Sequence, residues 1–255
     1  MKVQGNLILF GVGLLLLGTL VYAASEPTAP TSLTQSSSST FNGSNYALQT
    51  VPALAGNITA LLIHGVAQTK AWQGYYGNIT GSITLDDVNN YTFYNWSSAE
   101  PQGKIYATLN SSIAWNAVEC FNFTNTSDAG ANVSTIESYY GIVDNDDDGI
   151  DETFTATDHP TFQVGSRSLT GCPTTYIYQD DTIQTSNFVN VLLYDAQLNG
   201  TGWIYTTLIE NQSSGATNDL ICYNNEECDF QILVNEDGHG TNVATTTYYF
   251  WVELN

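Results

Sequence analysis

Val189-Asn-Val-Leu-Leu-Tyr194 is the stretch on which the fold turns: six uncharged residues, five of them apolar, ending at Asp195. So short and continuous an apolar run reads as a strand covered on both faces, which places it centrally in a sheet. Working outward, the rest of the chain repeats the strand signal in its half-covered form. Ile79, Gly81, Ile83 and Leu85 lie on one side of an extended segment, with Thr80, Ser82 and Thr84 on the other, and Ile105, Ala107 and Leu109 alternate likewise. Further strand-like runs fall at Tyr139–Val143, Thr153–Ala156, Thr161–Val164, Thr175–Tyr178, Trp203–Ile209, Phe230–Val234 and Thr246–Leu254. Turn-forming clusters separate them, no long 3.6-residue stripe appears beyond residue 46, and no fixed repeat is visible. The fold expected is all-β: an antiparallel β-sandwich of jelly-roll or Ig-like type, preceded by an N-terminal hydrophobic helix.

That helix comes from Leu7–Tyr22, an uncharged apolar run behind Met1-Lys2. Lys2, the run and Val21-Tyr22-Ala23 together fit a secretory signal cut after Ala23. A membrane anchor is the second reading, since Asn6 to Ala24 as a helix spans about 28 Å against a hydrocarbon core of about 30 Å. The third is cleavage after Gly5, as in a type IV pilin, although no acidic residue follows in the first turns. Each reading exports the chain beyond residue 30, with membrane contact only through residues 6–24. Ser25–Ser44 is a Ser/Thr/Pro-rich linker with almost nothing to bury. The organisation expected is therefore signal or anchor at 1–23, linker at 24–44 and one β domain at 45–255, with a subdivision near 168–172.

The formal net charge of −21 arises from scarce bases rather than abundant acids: 25 Asp and Glu face only Lys2, Lys70, Lys104 and Arg167. Such a chain offers no phosphate-binding footprint, which excludes nucleic acid as a partner. Ser, Thr, Asn, Gly and Tyr carry the surface, a composition that suits an acidic or saline external medium. Cys120, Cys172, Cys222 and Cys228 in an exported chain read as two disulfides, with three connectivities open. Cys222–Cys228 closes a tight local loop and leaves Cys120–Cys172, a loop worth about 4 kcal/mol on the chain-entropy model. A four-thiolate metal site would need paired C-x₂-C spacings, which are absent. Eleven Asn-x-Ser/Thr sequons occur, at Asn42, Asn57, Asn78, Asn90, Asn95, Asn110, Asn122, Asn125, Asn132, Asn199 and Asn211. They are glycosylation acceptors where exported and exposed.

The sharpest chemical candidate is Asp144-Asn-Asp-Asp-Asp-Gly-Ile-Asp-Glu152. Asp144, Asp146, Asp148, the carbonyl of Ile150 and Glu152, with Gly149 at the sharp turn, resemble the first half of a Ca²⁺ loop. Position twelve is Thr155 rather than Glu, so the competing reading is an acidic hairpin turn with no cofactor at all. Gly238-His239-Gly240-Thr241 superficially matches the His motif of subtilisin-type proteases, but no serine follows Ala244, which makes it a polar loop. His64 and His159 lack acidic or Cys neighbours in sequence. Glu100, Glu137 and Glu210 have no context that marks a paired-carboxylate glycosidase. The aromatics, 16 Tyr, 10 Phe and 5 Trp, read first as core and cross-strand pairs, and secondarily as a sugar-binding face.

Several strings resemble a group of uncharacterised archaeal secreted proteins. They are Trp72-Gln-Gly-Tyr-Tyr-Gly77-Asn-Ile-Thr-Gly81, Gly103-Lys-Ile-Tyr-Ala107, Ala114-Trp115 with Cys120, and Cys172-Pro173. Val191–Asp195, Asp229–Val234 and Tyr248–Leu254 continue the pattern, so the resemblance spans about residues 71–254. It implies an archaeal envelope setting and no catalytic residues, and the acidic loop lies outside it. The function expected is a non-enzymatic, exported, glycosylated cell-surface structural or interaction protein, such as a filament or envelope-coat subunit. Its partners would be other envelope proteins or its own copies, with Tyr46–Leu54 donated to a neighbour's sheet. The alternative is a carbohydrate-binding or adhesion module with a calcium-stabilised acidic loop, and the remote one an extracellular glycoside hydrolase.

Overall fold

The computed structural model describes residues 26–40, 47, 49–98, 102–124, 132–143, 146–198, 200–210, 220–238 and 244–254. The expected N-terminal helix and its cleavage points lie outside them, as do Asn42, Glu100, Asn125, Asp144, Asn199, Asn211 and His239. The described residues form an antiparallel, β-rich fold. The first strands are β1 (Trp72–Gly77), β2 (Gly81–Asp86), β3 (Thr92–Ser98), β4 (Gly103–Thr108) and β5 (Val118–Cys120). Two short helices follow, α1 (Val133–Tyr139) and α2 (Ile150–Thr153), then β6 (Phe162–Val164), β7 (Arg167–Leu169) and β8 (Thr174–Tyr176). The chain closes with β9 (Val189–Asp195), β10 (Trp203–Ile209), β11 (Phe230–Asn235) and β12 (Tyr249–Leu254).

The main sheet runs β12-β4-β10-β9-β5, with β8 sharing the outer edge of β9. β9, the run of near-continuous apolar residues, is accordingly internal. Its alternation supplies both faces: Leu192 and Tyr194 join Ala107, Trp203 and Tyr205 on one side. On the other side Val189, Val191 and Leu193 pack with Tyr106 and Ile204. The first face is covered by the β1–β11 pair through Ile232 and Val234, and by the helices through Ile136, Tyr140, Ile150 and Phe154. The second is covered by Trp115 and by the β6–β7 hairpin, through Phe162, Val164 and Leu169.

One polar residue interrupts the apolar run, and it ties the layers together. Asn190 Nδ2 donates to the Gln231 carbonyl at 2.8 Å, and its Oδ1 accepts from the Leu233 N–H at 2.8 Å. The side-chain amide thus pairs with β11 as a neighbouring strand's backbone would. Deeper in the same layer, Trp203 Nε1 donates to Tyr140 Oη (3.1 Å), which lies 2.5 Å from Tyr248 Oη. Tyr248 in turn donates to the Asn235 carbonyl at 2.8 Å, and Tyr205 donates to Asn235 Oδ1. Burial raises the phenol pKa of Tyr140, Tyr205 and Tyr248, so all three stay protonated donors.

The structure pairs Cys120 with Cys172 and Cys222 with Cys228, and no cysteine is free. Such bridges persist in oxidising compartments. His159 is built into the fold: Nδ1 lies 2.8 Å from the Pro160 carbonyl and Nε2 accepts from the Cys172 N–H at 2.9 Å. Among the described residues the sole ion pair is Lys104–Glu253 at 3.3 Å, inside the fold, with Tyr106 donating to Glu253 at 2.6 Å.

The period-two pattern misplaces two elements. Tyr139–Val143 and Thr153–Ala156, expected as strands of a hairpin, are the end of α1 with its following turn and the end of α2 with its exit. Asn132 caps α1 by accepting from Thr135 N–H at 2.8 Å, and Val133, Ile136 and Tyr140 fall on one helical face. The fold also contains β1, β3, β5 and β7, which the alternation does not reveal. Among the described residues no helix is long and apolar enough to cross a membrane.

Replacing Asn190 with Leu should leave the Leu233 N–H without its partner, while the Gln231 carbonyl keeps the Thr207 hydroxyl at 2.8 Å. At roughly 1–3 kcal/mol for an orphaned group, the expected loss is about 1–3 kcal/mol. Urea denaturation measures it, and a variant as stable as the parent would show that the bridge contributes nothing.

Candidate functional site

Two regions hold chemistry that the core does not use. The first is the loop joining α1 to α2. Asp146 Oδ2 accepts from Val143 N–H at 2.9 Å, and Asp148 Oδ2 accepts from the Thr69 hydroxyl at 2.5 Å. The Asp148 carbonyl accepts from Trp72 Nε1 at 2.7 Å, and the Ile150 carbonyl from Phe154 N–H at 2.9 Å. These groups fasten the loop to itself, to α2 and to the start of β1. Glu152 faces elsewhere: one oxygen each of Glu137, Asp151 and Glu152 lie within 4.8 Å of one another. Glu137 is buried, its Oε1 accepting from Ile150 N–H at 3.3 Å. A Cβ at Gly149 would displace the Glu152 carboxylate and come within 3.1 Å of Glu137 Oε1, so the absence of a side chain there lets the carboxylates approach. Sharing a hydrogen bond with Asp151 raises the Glu152 carboxyl pKa, with repulsion from Asp151 and Asp146 adding to it. Three hard oxygens in this arrangement could hold a divalent cation. Glu137 and Asp151 were invisible as partners in the sequence, because α1 brings Glu137 to the loop through the fold rather than through spacing.

The second region is apolar and uncovered. In the β2–β3 hairpin, Ile83 opposes Trp96 and Leu85 opposes Tyr94, so the four share one face, and all are exposed. The Tyr94 and Trp96 rings stack edge-on with centroids 4.7 Å apart. Thr84 and Asn95 lie on the opposite face. The turn is held by Asp87 Oδ1, which accepts from Asn89 N–H (2.8 Å) and Tyr91 N–H (2.9 Å), with Asn90 at φ +64°. A two-stranded hairpin alone is marginal in water. The segment before β1 is equally bare. Every described residue from Ala47 to Lys70 is exposed, and Ile58 and Leu62 are fully so. A cavity of about 270 Å³ there is lined only by its own residues, among them Val51, Pro52, Leu54 and Leu61. The part of the linker that is described does meet the domain, since Thr28 exchanges both backbone bonds with Val252.

The remaining candidates have local roles. Asn57, Asn78, Asn90, Asn95 and Asn122 are exposed; Asn132 is half-buried as the α1 cap. Asn110 is half-buried and its amide nitrogen donates to the Thr201 carbonyl. Trp115 and Trp203 are buried, and Trp72 and Trp251 are partly so, which leaves Trp96 as the exposed indole. Glu210 Oε1 accepts from Phe188 N–H at 2.5 Å and supports that residue's left-handed φ of +45°. Burial raises the Glu210 pKa, offset in part by the Phe188 and Val189 N–H groups. Asp229 is raised by burial as well, while accepting from Ile79 N–H at 2.7 Å.

The chain matches no family model, no characterised protein and no solved structure.

The raised carboxyls set a pH dependence. Glu210 and Asp229 bind their protons more tightly folded than unfolded, so their contribution is complete below the ordinary carboxylate range, around 4, and is lost as pH rises through the raised values. Asp86 and Asp87, lowered by hydrogen bonds from Thr84 and from Tyr91 N–H, act oppositely but are exposed. At low salt the thermal midpoint should be higher near pH ~4.5 than near pH ~7.5, and Glu210→Gln should shrink that difference. A midpoint that rises with pH would contradict this reading.

Proposed function

We propose that this chain is an exported, glycosylated, disulfide-stabilised structural protein of a cell surface. It assembles with its own copies as a filament or envelope-coat subunit and performs no catalysis. The described β domain serves it as a β-sandwich of jelly-roll or Ig-like type. The observation that carries the reading is the pairing of an uncharged, uncovered apolar segment with an uncovered aromatic hairpin on an otherwise polar, acidic chain. Contiguous exposed apolar surface of this kind marks an interaction site. Two disulfides, the exposed sequons and the resemblance to archaeal secreted proteins support the exported setting, with residues 6–24 as signal or anchor.

Calcium belongs to the proposal as a stabiliser: bridging Glu137, Asp151 and Glu152 would relieve their mutual repulsion and pin α1 to α2. The stacked Tyr94 and Trp96 favour a second reading, carbohydrate binding on the same hairpin face.

The full exported chain, examined by sedimentation and electron microscopy at micromolar concentration, should form polymers or sheets. Monomers throughout, with a saccharide quenching the indole fluorescence, would transfer the hairpin to the second reading. Calcium should raise the thermal midpoint relative to chelator, and Glu152→Gln should abolish the rise. An unchanged midpoint removes calcium from the proposal.

A further inference from the structure

The uncovered segment and the uncovered hairpin sit at opposite ends of one strand. At the start of β1 the ladder continues outward, with the Lys70 carbonyl accepting from Gly238 N–H and the Ala71 carbonyl from Glu236 N–H, both at 2.9 Å. Thr69, bonded to Asp148, fixes where the segment leaves. At the other end Asp229 N–H donates to the Gly77 carbonyl (3.0 Å) and Asp229 accepts from Ile79 N–H (2.7 Å), after which β2 begins. Residues 47–69 therefore depart from the tail of β1 and the hairpin projects from its head.

We infer that residues Ile58–Val66 of one copy dock as an added strand on the β2–β3 hairpin of the next. This rests on the self-assembly reading and names its interface. Within that stretch of nine residues, Ile58–Ile63 matches the six residues of β2, about 20 Å of strand. The chemistry agrees too. Residues 47–69 contain no Asp, Glu, Lys or Arg, and His64 is their single ionisable side chain. Two chains of net charge −21 repel, so contact falls to stretches that carry no charge. The added strand turns a two-stranded hairpin into a three-stranded sheet, the minimum for stability in water. Backbone bonds along the hairpin edge hold it, and one of its alternating sets, with Ile58 and Leu62, extends the face of Ile83, Leu85, Tyr94 and Trp96. The sequon at Asn95 lies on the other face and that at Asn90 at the turn, so attached sugar leaves the aromatic face open. Because donor and acceptor surfaces differ and lie at opposite ends, the contact is head-to-tail, and it propagates as a filament where successive rotations do not close a ring.

The test uses two full-length variants, Leu62→Lys in the donor and Trp96→Lys in the acceptor. Both positions lie outside the core clusters, so each variant should keep the parent's thermal midpoint. Should Trp96→Lys lose its transition, Tyr94→Lys takes its place. Each variant alone should be monomeric by light scattering. Mixed, they should give one-to-one pairs and stop, since the intact donor of one copy meets the intact acceptor of the other and nothing remains to extend. A mixture that stays monomeric overturns the inference. Assembly of Leu62→Lys at parental level also overturns it while leaving self-assembly through another surface. A parent chain that never assembles overturns both.

Discussion

The Asn190 amide is the interaction on which the layered arrangement depends. A strand in the middle of an apolar sheet has no backbone groups left over for a second layer, because β10 on one side and β5 and β8 on the other engage them. A side-chain amide supplies one donor and one acceptor in the geometry of a peptide group. Placed at Asn190, it holds the Gln231 carbonyl and the Leu233 N–H of β11. Hydrophobic contact alone would let β1 and β11 slide over Leu192 and Tyr205; two directional bonds in a dry layer fix one register. That register then sets where the chain before β1 leaves and where β2 begins.

The same preference for neutral hydrogen bonds runs through the whole interior. The face beneath β11 is joined by Trp203, Tyr140, Tyr248, Tyr205 and Asn235, none of which carries charge at ordinary pH. On the opposite face the Lys104–Glu253 pair is the exception, and Tyr106 supplies a further bond to the Glu253 carboxylate. A buried pair of this kind adds little net stability, yet losing one partner strands a charge, at about 3–5 kcal/mol. It therefore acts as a constraint on the pairing of β4 with β12 more than as a source of strength. With most of the interior indifferent to protons and two carboxyls favoured in their neutral form, the fold suits an acidic surrounding better than an alkaline one.

Much of this was legible in the sequence. β9 declared itself because both its faces are covered, and β4, β8, β10, β11 and β12 because β-branched and aromatic residues concentrate there. α1 and α2 escaped because seven and four residues are too few to display a stripe. Val133, Ile136 and Tyr140 did carry the helical spacing, with Asn132 as a cap signal before them. β1 reads as two glycines among aromatics, a weak strand pattern, and is held by its pairing with β11. The calcium-like spacing marks the acidic loop; the grouping of Glu152 with Glu137 and Asp151 lies outside that spacing. Asp146 and Asp148 serve the backbone and Thr69, while Glu152 meets Glu137 only because α1 folds back against α2. Spacing motifs report neighbours along a loop, whereas this grouping is tertiary.

Apolar content before β1 could be counted from the sequence, but exposure could not. Tyr46–Leu54 stood out as a segment to donate; the more apolar part is Ile58–Val66, whose residues are all exposed. An uncovered strand is ordinarily an aggregation hazard, contained by charge or proline at its edges. Here charge is withheld from this stretch and placed around it, at Asp86 and Asp87 on the hairpin turn and throughout the acidic domain. In the assembly proposed above, repulsion between copies would discourage contacts through charged surface, so the net charge and the bare segment would act together: the first against random association, the second in favour of one uncharged contact.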